Sequence, residues 1–489
     1  MGGDPEVSAA EPTPAEATQP AAQDGLSSAR LRPELRLGDC VLLVVGSMVG
    51  SGIFLTTGQI AATLPAPWLI LLAWLIGGGI ALCGALTYAE LGASLPRAGG
   101  HYVYLREAYG PLVGFLDGWL SFIASFPGSI AFVALGLVAY LPSVWTGHSL
   151  LSVQVLGLSW ALQSNHLIAI GIVLGLSLVN ALGLRAGRGT QNFLTALKIA
   201  ALVGIAGSGL LSGSGQWSNF SLAAIPGSDG MSLRAVGIAL IGVSFAYLGW
   251  DASTYMAAEV RHPQRNLPRS LALGTLLVVG LYLAFNLALL YGVPTAQMSG
   301  SENVTRDAVS VLLGPRFAGF VSIAVLICIL GSLNATIMVG PRIYYAMARD
   351  GLFPRLLGSV SSLTKVPVAA ITAQAIWACI IVLSATLGRI LAFTVLVIWL
   401  LSAITGAAIF VLRRRPALDR PYRTWGYPWV PAVFCLSSLA LAVNHLFHTP
   451  TDLLWLAGFV AAGLGVYIVF RRRYGRSTRS SAAASSREA

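Results

Sequence analysis

Charge is what this sequence lacks. Only 10% of its 489 residues are Asp, Glu, Lys or Arg, where a soluble globular chain carries roughly 25%. With 56% of the residues hydrophobic, most of the chain cannot face water. Cysteine is nearly as scarce. Cys40, Cys83, Cys328, Cys379 and Cys435 form no CxxC pair and have no histidine at metal-ligand spacing, which excludes a disulfide framework and a Cys/His metal site. No strand precedes the glycine-rich stretches and no βαβ unit surrounds them, so a nucleotide-binding reading falls away. No Ser-His pair, His/Asp cluster or metal motif stands at membrane depth, so an intramembrane enzyme has no chemistry to use and no cofactor is expected. The first thirty residues have no apolar core of a signal peptide and read as a disordered cytoplasmic tail.

What the sequence does have is apolar runs. Stretches of about twenty residues, each long enough to cross a bilayer as a helix, recur along nearly the whole chain. A β-barrel would show short alternating segments instead. The expectation is an all-α membrane protein of about twelve spans. It divides into a tail over 1–34, five spans over 35–212, five more over 235–412, two over 428–470, and a basic disordered tail over 471–489. The net charge of +11 suggests nucleic acid until its distribution is read. With twelve spans, the termini and even-numbered loops hold 25 of the 30 Lys and Arg and the odd-numbered loops hold 4. That bias follows the positive-inside rule and predicts cytoplasmic N- and C-termini in a plasma or inner membrane. The partner is therefore a lipid bilayer and not nucleic acid. Between spans 2 and 3, residues 96–110 suit either a short amphipathic helix at the interface or an ordinary connecting loop.

Two spans contain glycine interruptions, Gly46-Ser47-Met48-Val49-Gly50-Ser51-Gly52 in the first and Gly242 to Asp251 in the sixth. Glycine lowers the cost of leaving a helix, and non-helical backbone at membrane depth is tolerated where it is buried or lines a cavity. A break at Gly50-Ser51-Gly52 would free amides at the start of a half-helix, a ready anion site. The competing reading is packing, because Gly46 and Gly50 also form a small-xxx-small motif. The interruptions open two successive blocks of five spans, the pattern of an inverted-repeat transporter with its site at the midplane.

Four motifs then point to a family. They are Gly50-Ser51-Gly52-Ile53-Phe54; Gly84 to Leu91 followed by Pro96 to Gly110; Phe245 to Trp250 leading to Ala258-Glu259-Val260-Arg261 and Pro263 to Pro268; and Arg420-Pro421-Tyr422-Arg423. Over roughly residues 35–423 the chain resembles the amino acid–polyamine–organocation superfamily of secondary transporters, most of all its L-type amino acid group, with some features of cationic and broad-range permeases. The resemblance implies a leucine-transporter-type fold of two inverted five-helix repeats plus two peripheral helices, working by alternating access as an exchanger or a proton-coupled carrier. It places the substrate carboxylate on the amides of Gly50, Ser51 and Gly52. The substrate ammonium falls on the carbonyls of Met48, Phe245 and Leu248, with Tyr247 in the same segment and the Phe245 ring as external gate. L-type members often carry a glycine where Leu248 stands here, so the pocket is expected to favour small or medium neutral amino acids. The loop between spans 3 and 4 has no cysteine for a disulfide-linked heavy subunit, and none is expected.

Three charges need an account. Lys198 lies inside the fifth span, where insertion costs roughly 2.5–3.5 kcal/mol, so it should face a partner or a cavity. By the resemblance it stands where sodium-coupled relatives bind a cation, which implies sodium independence and bonds to freed carbonyls of the first span and to Ser332. Asp251 fits two roles, a functional group that attracts a cationic substrate side chain or relays protons, or a cap on the second half-helix. Glu90 and Glu259 fall near span ends as gate or loop-pairing residues. The alternatives are a cationic amino acid or polyamine permease of the same fold and, in a different class, a non-transporting receptor, against which the lack of a sizeable soluble domain argues.

Overall fold

The computed structural model describes residues 31–64, 66–142, 144–155, 158–221, 233–299, 301, 303–384 and 387–485. Most of the tail expected over 1–34 lies outside them. Nine helices among the described residues are long and apolar enough to cross a membrane, and three shorter apolar ones, Leu37–Met48, Ala235–Ala246 and Val368–Ser384, fall in the other expected spans.

The first span is two helices, α1 (Leu37–Met48) and α2 (Gly52–Thr63). α3 (Pro67–Ser94) returns across the bundle, and α4 (His101–Tyr109) is the short helix suited to residues 96–110. The third span is α5 (Pro111–Leu120), a π-helical turn at Ser121–Ser125, and α6 (Phe126–Val138). A two-stranded antiparallel hairpin follows, β1 (Ser149–Val155) and β2 (Leu158–Gln163). α7 (Ser164–Ala181) and α8 (Leu184–Leu211) complete the first block.

The sixth span is again divided, into α9 (Leu233–Ala246) and the single turn α10 (Ala252–Tyr255). α11 (Pro263–Gly292) precedes two short connecting helices, α12 (Thr295–Met298) and α13 (Val304–Leu313). The eighth span is α14 (Pro315–Val339) running into α15 (Pro341–Arg349). α16 (Val368–Ser384), α17 (Leu387–Leu412), α18 (Trp429–His448) and α19 (Thr451–Ser485) finish the chain. The last is a correction to the expected disordered tail, because α19 stays helical to Ser485; residues 486–489 lie outside the described ones.

The broken span α1–α2 sits inside the bundle, with α1 packed on α8, α11 and α14 and α2 on α9. Polar side chains set its neighbours. Asn180 donates to Asn334 at 2.8 Å, Asn334 to Gln191 at 2.8 Å and Gln191 to Thr195 at 3.2 Å, which ties α7, α14 and α8 together. A buried polar ladder of this kind specifies register, since a slip would leave each amide unpaired.

The end of the bundle that carries the Arg-rich loops is closed by paired charges. Glu259 receives two bonds from Arg342, at 2.8 and 3.0 Å, and both side chains are fully buried. Glu90 takes Arg413 at 2.6 and 2.8 Å and the amide of Thr424 at 2.6 Å. Asp350 accepts from Arg106 and from Tyr102. The Glu259 carbonyl receives the amides of Glu34 and Leu35. Glu90 and Glu259 therefore do the pairing their positions suggest.

Candidate functional site

α1 ends at Met48 because its continuation is contested. The Gly46 carbonyl at its end and the Val49 carbonyl freed past it each accept a bond from the Lys198 ammonium, both at 2.6 Å. Lys198 is wholly buried, so snorkelling is excluded. Its stem passes Gly331, where any Cβ would collide with it. The bond expected from Lys198 to Ser332 is absent: the Ser332 hydroxyl donates back along its own helix to Cys328 and Ile329. Ser332 instead stands across from Gly50, where an added Cβ would lie 3.2 Å from its hydroxyl.

Past the break, the chain turns into α2 with no side-chain cap. Among the described residues the amides of Gly50 and Ser51 have no protein acceptor. They are the orphan donors of a helix start, at its positive end. Packing and breaking are both served here. A Cβ on Gly52 would come within 2.8 Å of the Ala246 Cα, so this glycine also lets the two broken spans touch.

The second break runs through residues 247–251, and Gly249 adopts φ +100°, a conformation only glycine takes without strain. The Leu248 amide bonds the Phe245 carbonyl at 3.2 Å. Two observations bear on the expected site residues. Tyr247 points away from the site, donating to the Trp74 carbonyl at 3.1 Å from a buried position. The Met48 carbonyl, assigned to a substrate ammonium, already accepts the Tyr282 hydroxyl at 2.9 Å, which also bonds the Ala246 carbonyl at 3.1 Å. Tyr282 thus clamps both breaks. Phe245 and Leu248 do face the site, with the Phe245 ring edge-on to Phe132.

Between the breaks lies a cavity of about 180 Å³ lined by Met48, Gly50, Ser51, Gly52, Phe245, Leu248, Asp251 and Ser332. It is small beside the roughly 300–1,000 Å³ of pockets for drug-sized ligands, so its occupant is a small solute. Its wall is rich in hydroxyls that carry no site motif in the sequence: Ser121, Ser125 and Ser129 from the third span, Thr336 and Ser402. The π-turn aims the first of these. Phe126 donates to the Ser121 carbonyl, five residues back, and the Tyr344 hydroxyl bonds the same oxygen at 3.2 Å. Pro127 has no amide for the Ile123 carbonyl, and the Trp377 indole takes its place at 2.9 Å. Single π-turns of this kind cluster at functional sites. Serines beside a proline are the one sequence signal that marks it.

Asp251 is not a cap. Its side chain makes no bond to the backbone amides of α10. It accepts instead from His101 Nε2 at 2.9 Å and from the Tyr255 hydroxyl at 3.0 Å. His101 reaches the cavity from α4, and its other nitrogen lies 3.9 Å from Asp117 on α5. Asp117 is fully buried behind His101, and neither carboxylate oxygen has a hydrogen-bond partner among the described residues. His101 and Asp117 are legible in the sequence only as members of a loop and a span.

Comparison with known proteins fits this geometry. Residues 36–466 match the family described as amino acid permease. The chain is 30% identical to the serine/threonine exchanger SteT of Bacillus subtilis, over 91% of this chain and 98% of that protein. It is 30% identical to the human b(0,+)-type amino acid transporter 1, over 90% and 88% of the two chains. It is 27% identical to the human large neutral amino acids transporter small subunit 2, over 92% and 83%.

Proposed function

This chain belongs to the amino acid permease family, and from that premise we propose that it carries small neutral amino acids across a membrane by alternating access. It is a multi-pass membrane transporter and not an enzyme. The observation that carries the reading is the pair of unbonded amides at Gly50 and Ser51 facing the same cavity as the second break. A carboxylate there would meet N–H donors and the positive end of α2. The ammonium would lie between the two breaks, towards the carbonyls of Met48 and Phe245, each of which accepts one bond already, from Tyr282 and from the Leu248 amide, and has a second lone pair to offer. Leu248 and the wall of serines leave room for a short side chain able to hydrogen-bond. The relative named as a serine/threonine exchanger supports that choice.

The cationic-substrate alternative is weaker. Asp251, which would attract a positive side chain, is already engaged by His101 and Tyr255. Sodium independence is supported by Lys198, whose ammonium donates to the break carbonyls in the place that the family resemblance gives to a cation in sodium-coupled relatives. The two inverted repeats over 35–212 and 235–412 are supported by the matching breaks that open each block. All five cysteines are free and lie in helices, none in the connection between α6 and α7, which supports a carrier that works without a disulfide-linked subunit. The Arg-rich loops support a cytoplasmic side for the closed end and both termini, in a plasma or inner membrane.

The test uses the purified chain alone in liposomes. Preloaded L-serine should accelerate entry of labelled L-serine in sodium-free buffer. No entry of any amino acid, with or without a preload, would overturn the reading.

A further inference from the structure

The break residues account for binding the substrate backbone and leave the His101–Asp117 pair without a task. From its geometry we infer that Asp117 and His101 together hold one exchangeable proton that is coupled to substrate movement, with Asp251 as its contact to the cavity. The inference rests on the transporter reading above.

Proton counting carries it. Asp117 has neither oxygen bonded and no exposure, and an ionised carboxylate so placed is strongly disfavoured unless a cation lies beside it. The neighbouring titratable groups leave His101 as that cation. α3 contributes Tyr88, edge-on to the His101 ring at 5.0 Å, and α10 contributes Tyr255, stacked on it at 5.3 Å. α4 contributes Tyr102, Tyr104 and Arg106. Burial holds both of these phenols above their ordinary range, so they stay neutral. Arg106 and the Tyr102 hydroxyl are both spent on Asp350. α15 contributes Tyr344, whose hydroxyl bonds the Ser121 carbonyl, and α19 contributes Tyr467, packed on Phe115.

Two arrangements satisfy Asp117. It is neutral with a neutral His101, or it is ionised with an imidazolium whose two N–H groups face Asp117 and Asp251. Both contain one shared proton. Loss of that proton leaves an ionised, unpaired Asp117, and this arrangement of helices no longer accommodates it. The proton therefore stabilises the contact between α4, which lies at the closed end, and α10, which follows the second break. The same contact borders the substrate cavity through His101 and Asp251. Protonation and closure at that contact are linked, and linkage is reciprocal.

The experiment places the full chain in liposomes containing a trapped pH indicator. Adding external L-serine under an inward proton gradient should acidify the lumen, and the gradient should raise labelled serine uptake. In Asp117→Asn the amide mimics the neutral acid at equal volume. Stimulation by the gradient should fall to unity and substrate-driven acidification should disappear, while serine–serine exchange persists. Undiminished gradient stimulation in Asp117→Asn, or a wild-type lumen that does not acidify during serine uptake, would overturn the inference and leave the transporter reading standing. Absence of both exchange and uptake in the wild type would instead sink the transporter reading itself.

Discussion

At the scale of single residues, Lys198 bears the most on function. Its two bonds hold the ends of the first break, and removing a buried donor that satisfies two carbonyls costs about 1–3 kcal/mol for each group left unpaired. Lys198→Met should reduce uptake at least about tenfold, since 1.4 kcal/mol is one decade; vesicle uptake at equal protein content checks it. Gly249→Ala forces a non-glycine residue to φ +100° and puts a Cβ 2.9 Å from that of Ser47. A loss of roughly 1–2 kcal/mol is expected, read as a lower midpoint of thermal unfolding in detergent. Leu248→Gly should admit bulkier neutral amino acids, measured by competition against labelled serine; an unchanged profile would count against Leu248 as the limit on size. Some of these residues are legible without coordinates. A lysine inside an apolar span and glycines on both sides of a serine are anomalies against their local pattern. Asp251 and Asp117 are charges in apolar spans too, but their association with His101 is not legible, because it depends on helices far apart in sequence and no spacing rule links them.

At the scale of elements, both broken spans are legible because glycine is the residue that lowers the cost of leaving a helix, and it stands at both. The π-turn is not, since one extra residue in a helix changes neither hydrophobicity nor length. Its stability depends on Trp377 filling the vacancy above Pro127. Trp377→Phe keeps the ring and removes the donor, so the Ile123 carbonyl is left unpaired at a cost of about 1–3 kcal/mol. The expected readout is a lower unfolding midpoint together with weaker apparent affinity for serine, as Ser121 and Ser125 lose their aim. The hairpin Ser149–Gln163 shows the opposite difficulty. Its alternation of Ser152, Val153, Gln154 and Val155 before Gly157 is a strand signal, but it stands in a chain whose other apolar runs are helical. The terminal helix outruns its apolar span: the Arg- and Ser-rich residues that follow it to Ser485 contain no proline, and Gly475 is their one glycine.

At the scale of the whole molecule, membrane class follows from composition, and helix packing at the closed end follows from where charges can be neutralised. Burial of Arg342 with Glu259 is costly unless both are present. Arg342→Met alone should destabilise the protein by about 3–5 kcal/mol, and Arg342→Met with Glu259→Leu should recover most of it, as measured by unfolding midpoints of the three proteins. The central claim is that the molecule moves a solute gripped by its carboxylate at Gly50 and Ser51. The most direct measurement is competition against labelled L-serine in liposomes by a panel of unlabelled compounds, including serinol, which keeps the amine and hydroxyl but has no carboxylate. The account predicts that small neutral L-amino acids compete and serinol does not. Equal competition by serinol, or none by any amino acid, would contradict it.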